Sequence, residues 1–577
     1  MKRSQTRVRQ PPLGVLIVLC LSAVACGSES AAPPPTAGGT TTLVLSTINL
    51  NAPSSSIAFG GTVQFDASPR DQKGNVIVAT MTWSSVNDTI AKVNDAGLVT
   101  GMKVGNVMIS ATASAGGVRL VRSIAVDVIP PFAGPSSPGN VLVNDPRRAH
   151  FPSIAQFETS VAVSGSHVVV GWNDESVGGK TIRGFNWSVG HAYSADGGST
   201  FTDAGEVGSS HWGADPTVVA DRLGNFYIAR IDLLGDDALG NNSPDRIAIY
   251  KSSDGGVTFP RSATVTGNTS GRFTGVNDKP TITNDDTGSA FSGNLYVSWT
   301  FANSNVLTLR FARSTDGGAT FSDPIVLSDG ANDQGSVPVV GPRGEVYVFW
   351  TDRVSKVILV RKSIDGGLTF GLATSVASPA PIGAPADGTT QFCGSVLNGS
   401  IGPGASSMMA AVDRSGGSRN GALYVAFATR GEGADLADVS LTTSRDGGAT
   451  WSTPRRLNDD VTTNDQWQPF VAVAPNGTVG VTWYDRRQDP RNSLIDVFMR
   501  ISTDGGASFG PNLKLTDVSF PPPGLNYKLG FPPYSCYMGS YNYMTAAAGN
   551  FYIVWTDNRM VTNGVADPNI MFAKVPY

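Results

Sequence analysis

Acidic side chains and arginines recur at two fixed positions of a strand pattern that repeats between residues 158 and 559. Some precede the first strand of a repeat, and others follow its second strand. These residues are Glu158, Asp174, Asp215, Asp278, Asp333, Arg353, Arg430, Asp465, Asp485, Arg486, Asp557 and Arg559. In a four-stranded antiparallel sheet both positions lie on one face. We therefore expect these side chains to converge on one central opening, here called the mouth, and to bind a ligand there.

The same residues also allow a structural interpretation. Trp-(Thr/Tyr)-Asp, followed by an arginine within two residues, occurs at Trp350, Trp483 and Trp555. Such recurrence favours Asp–Arg pairs that seal loops between neighbouring sheets, because a single active site would need asymmetry. The sequence leaves both interpretations open.

An eight-residue motif, Ser-x-Asp-Gly-Gly-x-(Ser/Thr)-(Phe/Trp), occurs six times. Each copy follows one apolar strand-like run and precedes another, which predicts a turn. The aspartate can accept backbone N–H groups in that turn, and the glycines permit positive φ. One active site does not need six copies, so we predict turn-stabilising roles for Asp196, Asp254, Asp316, Asp365, Asp446 and Asp504.

A second pattern, Gly-x-apolar-Tyr-apolar-x-Trp, predicts a central strand and occurs seven times if variants are counted. Successive copies end 51 to 77 residues apart, which is enough for four short strands and their loops. The seventh unit has no eight-residue motif after it. We predict that Val141–Val143 supplies its missing outer strand and closes a ring of seven units.

The eight-residue motif resembles the Asp box, or bacterial neuraminidase repeat, of sialidases. This resemblance implies a β-propeller over residues 139–577. Classical sialidases have six blades, so six is the alternative to seven. Their chemistry uses three arginines on the substrate carboxylate, a Tyr nucleophile helped by Glu, and an Asp acid/base. Their Phe/Tyr-Arg-Ile-Pro signature is absent from this sequence, so we carry over none of their catalytic residues.

Residues 43–130 contain short alternating strands separated by turn residues. The segments Gly60–Phe65, Trp83–Ser85 and Gly97–Gly101 resemble the group 2 bacterial Ig-like domain. The resemblance implies a β-sandwich that serves as a spacer or adhesive unit, with Trp83 in its core. The predicted fold class is therefore all-β, an Ig-like sandwich followed by a propeller.

The N-terminal residues predict export. Four basic residues precede a short apolar run, as in a secretory signal peptide covering residues 1–25. Leu21–Ser28 resembles a bacterial lipobox, which makes Cys26 the lipid-bearing residue; ordinary cleavage after Ala25 is the alternative. Residues 26–42 then form a tether and residues 131–138 a linker. We expect a membrane-anchored lipoprotein at the cell surface or in the periplasm.

Composition limits the partners and cofactors. Four of the 42 basic residues lie in the leader, which leaves 38 against 46 acidic residues, so we expect no nucleic-acid partner. No zinc spacing is present, and we predict no metal or cofactor, although Asp236–Asp237 and Asn284–Asp286 could hold calcium. Cys393 and Cys536 are disulfide candidates in an exported protein. We expect a monomer.

Three functions are compatible with these observations. The first is recognition of an extracellular glycan or protein ligand by the mouth. The second is an exo-glycosidase of sialidase type, and the third is a purely structural surface protein.

Overall fold

The computed structural model of the protein describes residues 44–52, 56–58, 62–129, 139–146, 156–174, 188–208, 212–233, 245–267, 275–303, 306–330, 332–385, 395–397, 408–431, 434–522, 538–562 and 565–577. Throughout this part of the chain the regular structure is strand, and the fold is all-β. No helix long and apolar enough to cross a membrane occurs within these ranges. The predicted leader, tether and linker, with Cys26, Asp236–Asp237, Cys393 and Cys536, lie outside the described residues.

The N-terminal sandwich is made of nine strands in three sheets. Its strands are β1 (Leu45–Asn51), β2 (Ser56–Ala58), β3 (Thr62–Gln64), β4 (Asp66–Asp71), β5 (Thr80–Ser85), β6 (Ala91–Val93), β7 (Leu98–Gly101), β8 (Gly105–Ala115) and β9 (Val118–Ile129). The sheet orders are β1-β4, β2-β9-β8-β5 and β3-β7-β6. Phe65 and Ile109 are fully buried in its core, and the Trp83 ring meets Phe65 edge-on with the centroids 6.5 Å apart. Trp83 therefore packs against the core, as predicted.

The described residues after Gly139 form seven four-stranded antiparallel sheets. Sheets one and two contain β11 (Gln156–Ser164), β12 (His167–Asp174), β13 (Ser188–Ser194) and β14 (Thr202–Glu206), then β15 (Trp212–Ala220), β16 (Phe226–Leu233), β17 (Asp245–Ser252) and β18 (Arg261–Gly267). Sheets three and four contain β19 (Val276–Asn284), β20 (Leu295–Asn303), β21 (Val306–Ser314) and β22 (Ile325–Val326), then β23 (Asp333–Val340), β24 (Val346–Asp352), β25 (Val357–Ser363) and β26 (Thr374–Ala377).

A two-stranded ribbon follows sheet four and consists of β27 (Ala384–Pro385) and β28 (Ser395–Val396). Sheets five and six contain β29 (Met408–Val412), β30 (Leu423–Thr429), β31 (Asp438–Ser444) and β32 (Arg455–Arg456), then β33 (Gln466–Val473), β34 (Val479–Asp485), β35 (Asp496–Ser502) and β36 (Leu513–Lys514). Sheet seven contains β37 (Tyr543–Ala547), β38 (Asn550–Thr562), β39 (Val565–Pro576) and β10 (Val141–Leu142).

The seven sheets are arranged as a closed ring. The first strand of each sheet contacts the first strand of the next, and β37 of sheet seven contacts β11 of sheet one. Residues from all seven first strands line one central cavity of about 670 Å³. The described part of the chain after Gly139 is therefore a β-propeller with as many sheets as the repeats predict, and each sheet is called a blade below.

The seventh blade is completed by an upstream strand, as predicted. Val141 pairs with Phe572 and Leu142 with Met571, and the Val143 N–H donates to the Ile570 carbonyl at 2.9 Å. The outer edge of β39 is thus paired by residues that lie more than 400 positions earlier in the sequence.

The second strand of most blades carries the tryptophan of the apolar pattern. Trp172, Trp299, Trp350, Trp483 and Trp555 are all at most 1% exposed, packed between neighbouring blades. Because both faces of these strands are covered, their sequences are nearly continuous apolar runs.

Each eight-residue motif forms the turn between the third and fourth strands. In the third copy the Ser314 hydroxyl donates to Asp316 Oδ1 at 2.7 Å, and Thr320 donates its N–H and hydroxyl to the same carboxylate at 2.9 and 2.6 Å. These donors, with the Thr320 hydroxyl foremost, lower the pKa of Asp316 to about 2. The other five copies repeat the Ser–Asp and (Ser/Thr)–Asp bonds around Asp196, Asp254, Asp365, Asp446 and Asp504.

Cations on the third strands link these turns around the ring. Lys251 Nζ donates to the Gly317 carbonyl at 3.3 Å, and Arg313 Nη1 donates to the Gly366 carbonyl at 3.1 Å. Lys574 Nζ of blade seven donates to the Gly197 carbonyl of blade one at 3.1 Å. Each bond joins one blade to the glycine turn of the following blade. The bond from Lys574 joins the last blade to the first.

Candidate functional site

The mouth is bordered by irregularities in the first strands of five blades. In each of these strands the pairing with the second strand shifts register near its start. The shifts lie between Phe157 and Ser160, Ala214 and Thr217, Asp278 and Thr281, Gln334 and Val337, and Trp467 and Phe470. Bulges of this kind redirect side chains and are frequent beside functional sites.

At four of the five bulges a residue other than glycine adopts the left-handed backbone region. The φ angles are +58° for Glu158, +57° for Asp215, +48° for Lys279 and +54° for Gln468, whereas the fifth bulge carries Gly335. Each such conformation costs roughly 1–3 kcal/mol and concentrates at functional sites. We call Glu158, Asp215, Lys279 and Gln468 the strained residues.

Three blades bring their carboxyl groups together at this level. Asn173 at the end of β12 donates Nδ2 to Glu158 Oε2 at 2.7 Å and to Asp215 Oδ1 at 3.2 Å, and its Oδ1 accepts the Asp215 N–H at 2.6 Å. Asp215 Oδ2 accepts the Lys279 N–H at 3.0 Å. We call Glu158, Asn173, Asp215, Asp278 and Lys279 the mouth cluster.

Burial and mutual repulsion shift the titration of this cluster. Burial, followed by the charge of Glu158, raises the pKa of Asp215 to about 7. Burial, followed by the charge of Asp215, raises the pKa of Asp278 to about 6, and burial lowers the pKa of Lys279 to about 8. Asp215 and Asp278 repel one another when both are charged, so the protonation of these two carboxyls is coupled near neutral pH.

The cluster continues to the exposed rim through blade four. Gln334 Nε2 donates to Asp278 Oδ2 at 2.8 Å, and Gln334 Oε1 accepts from Arg353 Nη1 at 3.1 Å. Arg353 is exposed to solvent. A connected polar path therefore runs from buried Glu158 in blade one to exposed Arg353 in blade four.

The remaining acidic candidates of blades six and seven are held by arginines. Trp483 Nε1 donates to Asp485 Oδ2 at 2.8 Å, and Arg487 Nε donates to that oxygen at 2.9 Å. Blade seven repeats this arrangement, with Trp555 and Arg559 donating to Asp557 at 2.8 to 3.0 Å. Each arginine also pairs with an aspartate that follows the last strand of the preceding blade, Arg487 with Asp459 and Arg559 with Asp517. These pairs link neighbouring blades, as the structural interpretation predicts.

Four further candidates are likewise engaged away from the mouth cluster. Arg486 is completely buried, pairs with Asp465 Oδ2 at 3.1 Å and stacks over the Trp467 ring. Arg430 Nη2 donates to the Gly383 carbonyl at 2.6 Å. Asp174 lies beside Gln156, whose Nε2 is 3.4 Å from its carboxylate. The structure thus brings together Glu158, Asp215, Asp278 and Arg353 but distributes the other arginines among separate partners.

Asp333 belongs neither to the mouth cluster nor to the aspartates that pair with arginines. It is 1% exposed, and burial followed by the charge of Asp352 raises its pKa to about 6.

The predicted set omitted Gln468, which the structure places at the mouth. A sequence signal for it exists, because a proline follows the strained residue in Asp215-Pro216, Lys279-Pro280 and Gln468-Pro469. Proline has no N–H for the strand ladder, so within a strand pattern it marks a bulge or an edge.

The calcium candidate Asn284–Asp286 is committed to protein contacts. Asp285 accepts hydroxyl donors from Thr287 and Ser289, both at 2.6 Å, and Asn284 Nδ2 donates to the Ala220 carbonyl at 3.1 Å. Asp286 pairs with Arg414 of blade five. Within the described ranges no three His, Cys, Asp or Glu side chains are placed to hold a metal ion together.

One family model matches part of the N-terminal sandwich. Residues 45–121 match the bacterial Ig-like domain (group 2) family, within the 43–130 segment that the sequence predicts. No curated protein matches the chain in sequence.

Several solved structures are similar to this chain at low sequence identity. An α-L-arabinanase of Penicillium chrysogenum is 13% identical, with 67% of this chain and 100% of that chain covered and a TM-score of 0.40. An α-L-arabinofuranosidase of Fusarium graminearum is 15% identical over 60% and 92% of the two chains, with a TM-score of 0.39. A sialidase of Streptococcus pneumoniae is 11% identical over 90% and 89%, with a TM-score of 0.38. Residues 45–121 are therefore similar to a bacterial Ig-like domain. The description of the remaining chain as a propeller rests on its seven sheets and their contacts.

Proposed function

We propose that the mouth of the propeller recognises an extracellular ligand, and that this ligand is a glycan more readily than a protein. The observation that carries the proposal is the polar path from Glu158 through Asn173, Asp215 and Asp278 to Arg353. It joins four consecutive blades and includes Glu158 and Asp215, two of the four strained residues at this level of the described ring. Strain that recurs around a single opening supports a binding role.

The chemistry of the mouth suits a neutral sugar. Carboxylate and amide groups offer acceptors and donors in fixed planes, which is what hydroxyl groups require. Among the described residues of the path there are three carboxyl groups and two basic side chains, Lys279 and Arg353. This excess of acidic groups disfavours an acidic sugar.

Hydrolysis is the second candidate, and one observation favours it. The pKa of Asp215 is raised to about 7 by burial and by Glu158, which suits a general acid at neutral pH. The usual pair of carboxyls in glycoside hydrolases is separated by about 5–9.5 Å, however, to accommodate the sugar or a water. Asp215 is instead hydrogen-bonded to its neighbours, so binding is the better supported function.

The experiment is a glycan array combined with fluorogenic glycoside substrates. We expect the wild type to bind a neutral glycan, and Arg353→Ala to weaken that binding by about tenfold or more, because a hydrogen bond to a charged group contributes roughly 1.5–3 kcal/mol. Arg222→Ala is the matched control, since Arg222 is also exposed but lies on the opposite face, in the β15–β16 turn.

Equal binding by the two variants would place the ligand elsewhere, and a blank array would reject the glycan. Turnover of a glycoside that Asp215→Asn abolishes would establish hydrolysis in place of binding alone.

We further propose that the chain is exported and anchored by a lipid on Cys26, with the sandwich as a spacer. The signal-like leader and the lipobox-like segment support this proposal.

A further inference from the structure

A short segment of blade seven crosses the mouth before its first strand begins. Met538 and Tyr541 are only 2% and 1% exposed. The Tyr541 hydroxyl is 3.5 Å from the Pro216 carbonyl of blade two, although blade seven is adjacent in the ring to blades one and six. We call Met538–Tyr541 the plug.

The plug engages three of the four strained residues. The Ser540 N–H donates to Glu158 Oε1 at 2.9 Å, and the Gly539 carbonyl accepts from Gln468 Nε2 at 2.7 Å. The Lys279 ammonium lies 4.8 Å from the centre of the Tyr541 ring. Residues whose strain points to ligand binding are therefore occupied by the protein itself.

The fit around Gly539 is close. Its φ is +86°, and a Cβ atom there would stand 2.8 Å from Glu158 Cγ and 2.9 Å from the Glu158 backbone nitrogen. Only glycine brings the plug backbone this near to the carboxylate.

Lys279 is incompletely satisfied with the plug in place. The residue is 5% exposed, and its Nζ has no hydrogen-bond acceptor among the described residues. Its charge is balanced at longer range by Glu158, Asp278 and Asp215. A buried ammonium without an acceptor is costly, which indicates that an oxygen atom would bind there better than an aromatic ring does.

We propose that the plug is an autoinhibitory element that imitates the ligand of the mouth. This inference rests on the proposed function. The contacts of the plug indicate what a ligand that displaces it must offer. Such a ligand carries a hydrogen-bond donor for Glu158 and oxygen acceptors for Gln468 Nε2 and Lys279 Nζ. A sugar ring carries both kinds of group in its hydroxyls. The ligand binds only when the plug has left the mouth. The affinity of the wild type is therefore the affinity of the open mouth multiplied by the fraction of molecules in which the plug is displaced.

The first test uses no ligand. Reductive methylation with formaldehyde and dimethylamine–borane, followed by peptide mass spectrometry, reports the accessibility of each lysine in the full chain. We expect Lys279 to react at least about tenfold more slowly than exposed Lys356 in the wild type, the factor that corresponds to 1.4 kcal/mol of protection.

Gly539→Ala should expel the plug and bring the Lys279 rate to that of Lys356. The matched control is Gly549→Ala, where φ is +80° and no atom lies within 4 Å of the added Cβ. Both variants carry the same backbone strain, but only one creates the clash with Glu158. Tyr541→Phe, which keeps the ring over Lys279, should remain protected.

The second test compares the same variants on the glycan array. Gly539→Ala should bind about tenfold more tightly than Gly549→Ala, since it no longer has to displace the plug. Lower affinity for Gly539→Ala would show that the plug is part of the site and would overturn the inference. It would also be overturned if Lys279 stayed protected in Gly539→Ala, or became reactive only as the whole ring melted. Blank arrays for both variants would reject the proposed function, while the methylation rates would still decide whether the plug moves.

Discussion

At the scale of single residues, the mouth combines backbone strain with buried charge. The four strained residues each adopt an unfavourable φ. Burial also shifts the pKa of two of them, raising that of Asp215 and lowering that of Lys279. Neither feature stabilises the ring. Both persist because the surrounding sheets over-determine these positions, which is characteristic of sites selected for function.

The first prediction concerns Asp215. Its pKa in the folded protein is about 7 against 3.8 for an ordinary aspartate, so its contribution to stability is complete below pH 3.8 and is lost as the pH rises through 7. Asp215→Asn mimics the protonated carboxyl and avoids that loss. We expect the free energy of unfolding of the variant to exceed that of the wild type by an amount that grows between pH 5 and pH 8 to on the order of 1–3 kcal/mol, with a higher melting temperature.

Thermal melts at several pH values check this expectation. Asp323→Asn is the control, because Asp323 is an exposed carboxylate beyond the third turn motif. Parallel melting curves for wild type and Asp215→Asn across this pH range would contradict the assignment.

At the scale of elements, the two repeated motifs are local devices that build the blades. The eight-residue motif closes each turn through one carboxylate, and Trp-x-Asp-x-Arg fastens the end of a second strand through another. In both cases an aspartate that looks catalytic by type is saturated by donors within four residues of it. Recurrence is the feature that distinguishes these aspartates from Asp215.

The second prediction concerns the turn. Asp316→Ala removes the acceptor for Ser314 and Thr320 and should cost roughly 1–3 kcal/mol of stability without a specific loss of ligand binding. Chemical denaturation and array binding measure the two effects, with Asp323→Ala as the control. Abolished binding with unchanged stability would show that Asp316 belongs to a site.

The third prediction separates two arginines that look equivalent in sequence. Arg559 follows Asp557 by two residues and bonds it with two nitrogens, whereas Arg353 follows Asp352 directly and donates to Gln334 instead. Arg559→Leu leaves a completely buried carboxylate unpaired and should cost about 3–5 kcal/mol. Arg353→Leu should change stability by less than about 0.5 kcal/mol. Equal unfolding free energies for the two variants would refute this distinction.

At the scale of the whole molecule, the ring is closed by chain segments that are distant in sequence. The upstream strand β10 pairs with β39, and Asn144 exchanges hydrogen bonds of 2.7 Å with Asn569 and Ile570. Asn140 donates to the Leu515 carbonyl of blade six at 2.8 Å. Residues 140–144 therefore contact blade six as well as the edge of blade seven.

The fourth prediction tests this closure by truncation. Deletion of residues 27–130 should leave a folded propeller, because the sandwich has its own core. A longer deletion, of residues 27–144, removes β10 as well and should expose the edge of β39. We expect it to lower both the melting temperature and the monodispersity. Equal melting and equal size-exclusion profiles for the two truncations would show that β10 does not hold the ring closed.

The fifth prediction concerns attachment to the membrane. Cys26→Ser should release the protein from membranes, since the lipid would supply most of the affinity. Detergent partitioning of the two forms measures this. Unchanged partitioning would refute lipidation, and ordinary cleavage after Ala25 would become the better account.

Local patterns in the sequence predicted most of the architecture. The turn motif, the apolar second strand and the orphan strand at Val141–Val143 were sufficient to infer the sheets and their closure. They were informative because their interactions are either local or repeated in every unit. A hydrogen bond from Ser314 or Thr320 to Asp316 spans at most four residues, so the sequence that encodes it is contiguous.

Only the tertiary structure decided which polar residues act together. Glu158, Asp215, Asp278 and Ser540 lie on four segments far apart in the chain. The fold nevertheless brings the Ser540 N–H to Glu158, and the N–H of the residue after Asp278 to Asp215. Whether a carboxylate meets an arginine or another carboxylate depends on the neighbouring blade and on a one-residue offset, as Arg353 and Arg559 show. The plug depends on contacts across the ring axis, and such through-space contacts leave no periodic trace in the sequence.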